Sequence, residues 1–436
     1  MKEDRDEALA AAELRKTREA LAAARGRKRL EVILGARRPQ ALVRALPADE
    51  LYLTIREVGL ADAVALVQLA SPEQFKVFLD LEAWAQDAFD PKKALPWLRA
   101  ARAGAQLEPR AAVRWARKLT ALDPEVLFLI LRSTLRLHDL EQDPDPEILS
   151  DQFMRTPEGK YVIEFVVDGI EYLAVRGILD DLYAENAFMA TRLLASLVWE
   201  LPSELEETAL RWRTGRLADL GHPTLEEALS WFARPSRAPA QAAAAPSRAP
   251  GFFLATLSGS SLLDRAVARL APEEREAVEA QIVAAANAVL VADAVDPGDV
   301  EAVRASFEAA RGYLDLGLDR LAPGDDARAA EALASTPVKR VFQEGFGRVL
   351  ELSWRAREIR RRAGDGVRFG APIDEALAAL AGRRPRYFPG VEAPDEEWGT
   401  AAAAAHQARH FRTPDDLART ARALDRAEAR IGDASA

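Results

Sequence analysis

The stretch LASPEQFKVFLDL, residues 69–81, sets the pattern on which the fold depends. A leucine leads into Ser71, Pro72 and Glu73, and a dense apolar run follows. The same order returns in the phrases that begin at Leu46, Leu122, Leu201 and Leu270. Serine or aspartate is a favoured helix N-cap, proline fits the first helical position, and glutamate in the first turn suits the helix dipole. Each phrase therefore predicts the start of a helix.

Prolines mark these predicted starts in the first part of the chain. They are Pro47, Pro72, Pro91, Pro109, Pro124 and Pro146. Their spacing leaves room for one short helix and a connection each time. Helices of this length are not stable alone, so they must stack on one another, as in helical-repeat proteins. The sequence predicts a mainly α protein of stacked short helices, armadillo-like but irregular in its spacing.

One stretch predicts β structure instead: GKYVIEFVVDGIEYLAVRG, residues 159–177. The pair Asp168-Gly169 lies between two runs rich in β-formers, which is typical of a two-residue hairpin turn. We expect a β-hairpin over residues 160–176. Its facing pairs would be Val167 with Ile170, Phe165 with Tyr172, and Ile163 with Ala174.

The composition changes once more at RPSRAPAQAAAAPSRAP, residues 234–250, which has the character of a Pro/Ala linker. The second half again predicts helices, over 262–271, 273–293, 298–322, 326–334, 337–363 and 373–382. The predicted domains are a charged N-terminal helix or arm (1–30), a helical-repeat domain with the hairpin (31–233), the linker (234–250), a second α-helical domain (251–390) and an Ala-rich helical tail (391–436).

Composition narrows the classes of function. The chain has 436 residues, a formal net charge of −10 and no cysteine. Thiol catalysis and Cys-ligated metals are therefore excluded, and nucleic acid is a disfavoured partner for so acidic a chain. The N-terminus has no apolar signal region, and the longest apolar run of the repeated phrase, Val126–Leu131, is far too short to cross a membrane. We expect a cytoplasmic protein without membrane insertion, and no cofactor.

Two resemblances follow from these motifs. ALPADELYLTIREVGLADAVALVQLASPEQFKVFLDL and ALDPEVLFLILR, within residues 38–135, resemble the helical-repeat domain at the cytosolic N-terminus of MgtE-type magnesium transporters. That resemblance implies a fold only, because the transporters' acidic magnesium ligands have no matching positions here. The whole chain also resembles a bacterial family of helical proteins, a domain of unknown function, which implies no activity.

The densest block of functional side chains is WELPSELEETALRWRTGRLADLG, residues 199–221. Its candidate partner-binding residues are Trp199, Glu200, Glu204, Arg211, Trp212, Arg213, Arg216 and Asp219. Tryptophan and arginine are common anchors of protein interfaces. The same residues would also suit an ion-pair network that supports helix packing. A deep pocket joining Glu200, Arg211 and Arg216 would instead indicate an enzyme or a regulatory ligand-binding protein.

Two weaker candidates lie near the C-terminus. His406 and His410 are four residues apart in HQARH, so on a helix they would share a face as two zinc ligands do. The alternative is a pair of surface histidines, and we predict no metal. The stretch 339–388 is basic and ends in Tyr387 and Phe388, a combination found in single-stranded nucleic-acid sites. A solvated helix face paired with acids is the alternative.

No catalytic constellation is visible in the sequence. Stacked short helices present extended surfaces that suit binding. The leading hypothesis is therefore a non-catalytic scaffold or protein-interaction module with a protein partner whose identity, like the oligomeric state, the sequence leaves open. The alternatives are the enzyme or ligand-binding protein with a site around 199–219, and nucleic-acid binding through 339–388.

Overall fold

The computed structural model describes residues 20–21, 24–234, 260–364, 367–394, 398, 400 and 405–435. The chain divides into two compact units. Among the described residues, the first unit holds those up to Leu217 together with Asp296–Val300, and the second holds 218–234, 260–295 and 301–435. The predicted linker 234–250 lies, except for Arg234, outside the described residues.

The described elements confirm a mainly α protein. The first half contains α1 (Gly26–Leu34), α2 (Pro39–Ala45), α3 (Ala48–Val58), α4 (Val64–Leu69), α5 (Pro72–Glu82), β1 (Trp84–Ala85), β2 (Ala88–Phe89), α6 (Pro91–Arg102), α7 (Pro109–Ala121), α8 (Pro124–Thr134), β3 (Leu135–Asp139), β4 (Phe153–Arg155), β5 (Tyr161–Phe165), α9 (Gly169–Trp199) and α10 (Pro202–Asp219). Helix α1 crosses residue 30, where the predicted N-terminal arm would end.

The later part continues with α11 (Leu225–Trp231), α12 (Leu262–Arg269), α13 (Pro272–Ala292), α14 (Val300–Leu321), α15 (Asp326–Ser335), α16 (Val338–Ala363), α17 (Ile373–Ala381), a 3₁₀ turn (Pro389–Glu392) and α18 (Pro414–Ser435). Helices lie at all six places predicted over 262–382, and their bounds differ from the predicted ones by at most two residues.

The proline pattern predicts most helix starts in the first unit correctly. Ser71 accepts a hydrogen bond from the backbone N–H of Gln74 and forms a capping box. Asp123 does not cap α8 with its side chain; it forms ion pairs instead. Pro146 starts no helix, because it lies in the connection between β3 and β4. Local capping chemistry thus predicts where a helix starts, but it does not predict which groups each cap side chain contacts.

The hairpin predicted over 160–176 is wrong in its position. Gly169, with φ of +56°, is the first residue of α9 and not part of a turn between strands. The antiparallel sheet has the order β3-β5-β4, and its hairpin joins β4 to β5 through residues 156–160. The expected contact of Phe165 with Tyr172 does occur, with ring centroids 4.9 Å apart, but it joins a strand to a helix.

Stacking in the first unit follows a repeat-like rule. Within helices α1 to α8, each helix contacts the helix two positions further along the chain. For example, α3 contacts α5, and α6 contacts α8. The core between them is aromatic: the ring of Trp97 stacks on Tyr52 at 5.4 Å and lies 5.4 Å from Phe78. Each short helix therefore gains its stability from the helices beside it. The resemblance to the MgtE helical-repeat domain stays a prediction.

The second unit has longer helices and a closer crossing. Twelve of the 21 residues of α13 are buried. Helices α14 and α16 meet at glycines: a Cβ at Gly345 would overlap the carbonyl oxygen of Tyr313, and one at Gly317 would overlap that of Val341. The rings of Tyr313, Phe342 and Phe346 fill this crossing. Across the described residues, no helix is both long and apolar enough to span a membrane.

Candidate interaction surface on helices α9 and α10

Helix α10 is attached to the first unit mainly by charged side chains. Only Ala209 and Leu217 are buried among its 18 residues. Arg216 forms a two-pronged contact with the carboxylate of Asp80, at 2.6 Å from Nε and 2.9 Å from Nη2. Its Nη1 lies 2.7 Å from Asp123. The arginine thus joins α10 to both α5 and the start of α8.

Three further contacts fix the same side of α10. Arg213 donates from Nε to the backbone carbonyl of Asp80 at 2.9 Å, and its guanidinium lies over the ring of Trp84. Glu206 accepts the backbone N–H of Phe89 at 2.9 Å. Burial raises the pKa of Asp80, and Arg216 opposes that rise. A buried carboxylate with a fork-shaped cation against it is a strong positional anchor.

The predicted candidate residues therefore divide between two sides. Arg213 and Arg216 face the body of the unit and hold α10 in place. For these two residues, the structure supports the interpretation as ion pairs that stabilise helix packing. The remaining candidates are exposed: Trp199, Glu200, Glu204, Arg211, Trp212 and Asp219. Arg211 forms an exposed ion pair with Glu207 at 3.3 Å. The structure does not gather these residues into one pocket.

The C-terminal half of α9 adds to the exposed side. Asn186 breaks the helix, with φ −157° and ψ 82°, and its side chain accepts the backbone N–H of Met189 at 3.0 Å. The segment after the break buries one face, which consists of Ala190, Leu193, Leu194 and Leu197. Phe188 and Trp199, three helical turns apart, lie on the opposite face.

Large apolar side chains are unusually open here. The exposed fractions are 73% for Phe188, 70% for Trp199, 61% for Leu201 and 55% for Trp212. We call these four residues, together with the exposed acids Glu200, Glu204 and Glu207, the α9–α10 surface. Scattered exposed apolar residues are ordinary, but large aromatic ones concentrated on adjoining helices are typical of interaction sites.

A small and mostly apolar cavity lies beside α10. Lys76, Asp80, Asp123 and Arg216 line it together with apolar residues such as Trp84, and its volume of about 10 Å³ would hold one water at most. Glu200 and Arg211 lie outside it. The pocket expected of an enzyme, joining Glu200, Arg211 and Arg216, is therefore not formed by the described residues.

The histidine pair does not share a helix face. Residues 405–412 are not helical, and α18 begins only at Pro414. His406 is exposed near Phe388, whereas His410 is buried and uses both ring nitrogens: Nδ1 lies 2.8 Å from the Tyr313 hydroxyl and Nε2 lies 2.7 Å from Asp293. No group of three side chains suited to a metal occurs among the described residues.

The basic stretch 339–388 is interleaved with acids. Arg348 pairs with Asp319 at 2.7 Å, and Arg355 pairs with Glu428 at 2.7 Å. Tyr387 is fully buried and Phe388 is 5% exposed, so neither ring is available to stack on a base. Arg348 and Arg355 thus pair with acids of the second unit, and the two rings are part of its core, which disfavours the nucleic-acid interpretation.

Sequence reasoning missed the acidic anchors. Asp80 is 2% exposed and lies within the apolar run of α5, and Asp293 follows the last turn of α13. Asp293 accepts from His410 and Arg386 and pairs with Arg384. A carboxylate with apolar residues on both sides, as in VFLDL, is the signal that could have found Asp80, because such a group needs a cation when buried.

Comparisons with known proteins place the chain in a family without assigning an activity. No match was found among curated proteins or among solved structures. One family model covers nearly the whole sequence, from residue 6 to residue 431. The expected membership of a domain of unknown function is thereby confirmed: the chain belongs to DUF6178, a family of unknown function.

Proposed function

We propose that this protein is a non-catalytic interaction module that binds another protein through the α9–α10 surface. The observation that carries the proposal is the pair of exposed tryptophans, Trp199 and Trp212, on helices whose opposite sides are fixed to the unit. Tryptophan loses little conformational entropy on binding and buries a large area, so it dominates many interfaces.

The contacts that hold the inner side of α10 against the unit support a role in binding. Arg213, Arg216 and Glu206 hold the helix in place, so a partner meets a preformed surface and does not have to order it. Glu204 and the Glu207–Arg211 pair are exposed on α10, and Glu200 is exposed just before the helix begins. Such a surface favours a partner that presents apolar groups with basic ones at the rim.

The proposal places the protein in the cytoplasm. The absence of cysteine from all 436 residues is compatible with a reducing compartment. Helical-repeat units commonly supply extended binding surfaces, and the next-but-one stacking of α1–α8 supplies a rigid support of that kind. The proposed partner is a protein.

The test compares a double variant with a matched control. We expect Trp199→Ala with Trp212→Ala to lose a partner that the wild-type full chain recovers from its native cells, measured by quantitative mass spectrometry. Trp354→Ala removes another exposed tryptophan, 41% accessible, from the second unit and should retain that partner. With the partner purified, the double variant should raise Kd about tenfold or more.

Folding is checked by circular dichroism, because all three substitutions remove solvent-exposed rings and should leave helix content unchanged. Recovery of the same partners by wild type, double variant and Trp354→Ala would disprove the role of this surface. Loss of a partner in the control alone would also contradict the proposal, because it would assign binding to a different region.

A further inference from the structure

The three-stranded sheet of the first unit has an open edge at β4. The sheet order is β3-β5-β4, so among the described residues β4 has a neighbour on one side only. The backbone N–H of Phe165 donates to Gln152 at 2.9 Å, and that of Thr156 donates to Tyr161 at 3.0 Å. These two bonds fix which residues of β4 pair with β5.

Antiparallel strands alternate between residues that bond to the neighbour and residues that do not. Gln152, Met154 and Thr156 are at the bonding positions of the β4–β5 ladder, in register with Ile163 opposite Met154. Phe153 and Arg155 are at the other positions, so their backbone N–H and C=O groups point away from β5. An edge of this kind can accept a further strand.

Apolar side chains lie beside this edge. Phe153 is opposite Glu164 and shares its face of the sheet. Leu149 donates its backbone N–H to the Glu164 carboxylate at 2.9 Å, and Val166 continues the β5 ladder by donating to Thr134. The exposed fractions are 70% for Leu149, 49% for Phe153 and 51% for Val166. We call these three residues with strand β4 the edge surface.

The sheet beneath the edge surface is held firmly. Glu164 is 2% exposed at the centre of the face, and His138 and Arg136 on β3 contact its carboxylate at 3.0 Å and 3.3 Å. Ion pairs and backbone bonds thus tie β3, β5 and the 140–152 connection together. A rigid edge lowers the entropy cost of adding a strand.

The connection that leads into β4 is strongly acidic. Residues 139–151 contain no lysine or arginine, and their acids are Asp139, Glu141, Asp143, Asp145, Glu147 and Asp151. Of these, only Glu141 pairs with a basic side chain of the described residues, Lys160, at 3.4 Å. The edge surface therefore lies next to a field of negative charge that a basic ligand would neutralise.

We propose that the edge surface binds an extended segment of another protein in which apolar and basic residues alternate. The segment adds a fourth strand next to β4, with backbone hydrogen bonds to Phe153 and Arg155. Its apolar side chains contact Phe153 and Leu149, and its basic side chains meet the acids of 139–151. Strand addition obtains affinity from the main chain and specificity from alternate side chains.

This site is separate from the α9–α10 surface and does not depend on it. The probe is a labelled eight-residue peptide in which valine and lysine alternate, titrated with the full chain and followed by fluorescence anisotropy at low salt. Arg155→Pro removes the outward N–H while leaving the β5 ladder intact, since proline is tolerated on edge strands. We expect it to weaken binding about tenfold.

Arg155→Ala is the matched control. It removes the same positive charge but keeps the N–H, so it should bind the basic peptide at least as well as wild type. The triple variant Asp143→Asn, Asp145→Asn, Glu147→Gln should bind more weakly and lose much of the salt dependence. Trp199→Ala with Trp212→Ala should not change peptide binding, which separates this proposal from the proposed function.

A peptide N-methylated at alternate residues tests the backbone bonds without altering the protein, and it should not bind. Equal affinities of Arg155→Pro and Arg155→Ala, together with retained binding of the N-methylated peptide, would overturn strand addition. No binding of the unmodified peptide by folded wild-type chain at millimolar concentration would overturn the proposal as a whole.

Discussion

Two carboxylates, the buried Asp80 in the first unit and the half-buried Asp293 in the second, organise arginines in different ways. Asp80 receives Arg216 and, through its backbone carbonyl, Arg213, and both arginines come from one helix near the surface. Asp293 gathers Arg384, Arg386 and His410 from two segments distant in sequence. The first carboxylate attaches helix α10 to the first unit, whereas the second joins separate segments of the second unit.

Contacts between arginine and a carboxylate therefore affect stability differently at Asp80 and at Asp293. Arg216 keeps Asp123 as a second acceptor, so it is not left alone if Asp80 is lost. The buried His410 would have no acid at Nε2 without Asp293. Unpaired buried charge is costly, so the cost of removing each carboxylate depends on what its partners retain.

The largest effect should follow Asp293→Ala. It leaves two arginines and a buried histidine without their shared acceptor, and we expect the free energy of unfolding of the second unit to fall by about 3–5 kcal/mol. Urea unfolding, monitored by hydrogen exchange of peptides from α13 and α18, measures it. A loss below about 1 kcal/mol would show that the cluster does not hold these segments.

Asp80→Ala should have a smaller and more local effect. We expect about 2 kcal/mol, because Arg216 retains Asp123, and hydrogen exchange should accelerate in α10 more than in α5. Glu207→Gln removes the exposed acid of the same helix and should change stability by less than about 0.5 kcal/mol. Equal acceleration throughout the first unit would contradict the view of Asp80 as an anchor for α10.

A third carboxylate, the buried Asp49, sharpens the contrast because no basic side chain of the described residues pairs with it. Burial raises its pKa from 3.8 to about 7, although its side chain accepts the Glu50 backbone N–H. The folded state then binds the proton more tightly than the unfolded state. This tighter proton binding stabilises the folded state at low pH, and the stabilisation is lost as the pH rises from about 4 to about 7.

We therefore expect Asp49→Asn to stabilise the first unit at pH 8, by about 1 kcal/mol, and to give little or no gain at pH 4. Thermal unfolding at the two pH values measures the difference. The exposed Asp62→Asn serves as a control and should show no such pH-dependent gain. Destabilisation by Asp49→Asn at pH 8 would mean that the carboxylate has a partner that the argument omits.

The sequence predicts helix starts well because capping is local. Pro72 and Ser71 act within one turn of the residues that they cap, so their role is readable from a few letters. The hairpin could not be located in this way. Asp168-Gly169 suits either a turn or a helix start. The outcome depends on β3, whose residues 135–139 pair with β5 residues that lie 22 to 30 positions later in the chain.

The candidate surface was predictable in part for the same reason. Trp199 and Trp212 are recognisable as interface-type residues, but the inward role of Arg216 depends on Asp80, 136 residues away. Arg211 and Arg213 are two positions apart on one helix, yet Arg211 is exposed whereas Arg213 contacts Asp80. Only the tertiary packing of α5 against α10 decides between them, so the sequence alone left the packing and binding interpretations open.

The smallest effect should appear in the pH dependence of the second unit. Burial is the main cause that lowers the pKa of His410, with Arg386 and Arg384 acting in the same direction and Asp293 opposing them. Below the usual pKa of histidine, the unfolded chain then binds a proton that the folded chain does not. Stability should therefore fall as the pH drops below about 6.5.

His410→Gln removes this proton uptake, so the variant should be less stable than wild type at pH 8 but show a flatter pH dependence between pH 7 and 5. His406→Gln is the matched control from the same segment, and its exposed ring should leave the wild-type slope unchanged. Urea unfolding at each pH, followed by exchange in α18, measures both. If His410→Gln keeps the full wild-type slope, another group titrates in that window, and His410 is not the source of the acid sensitivity of the second unit.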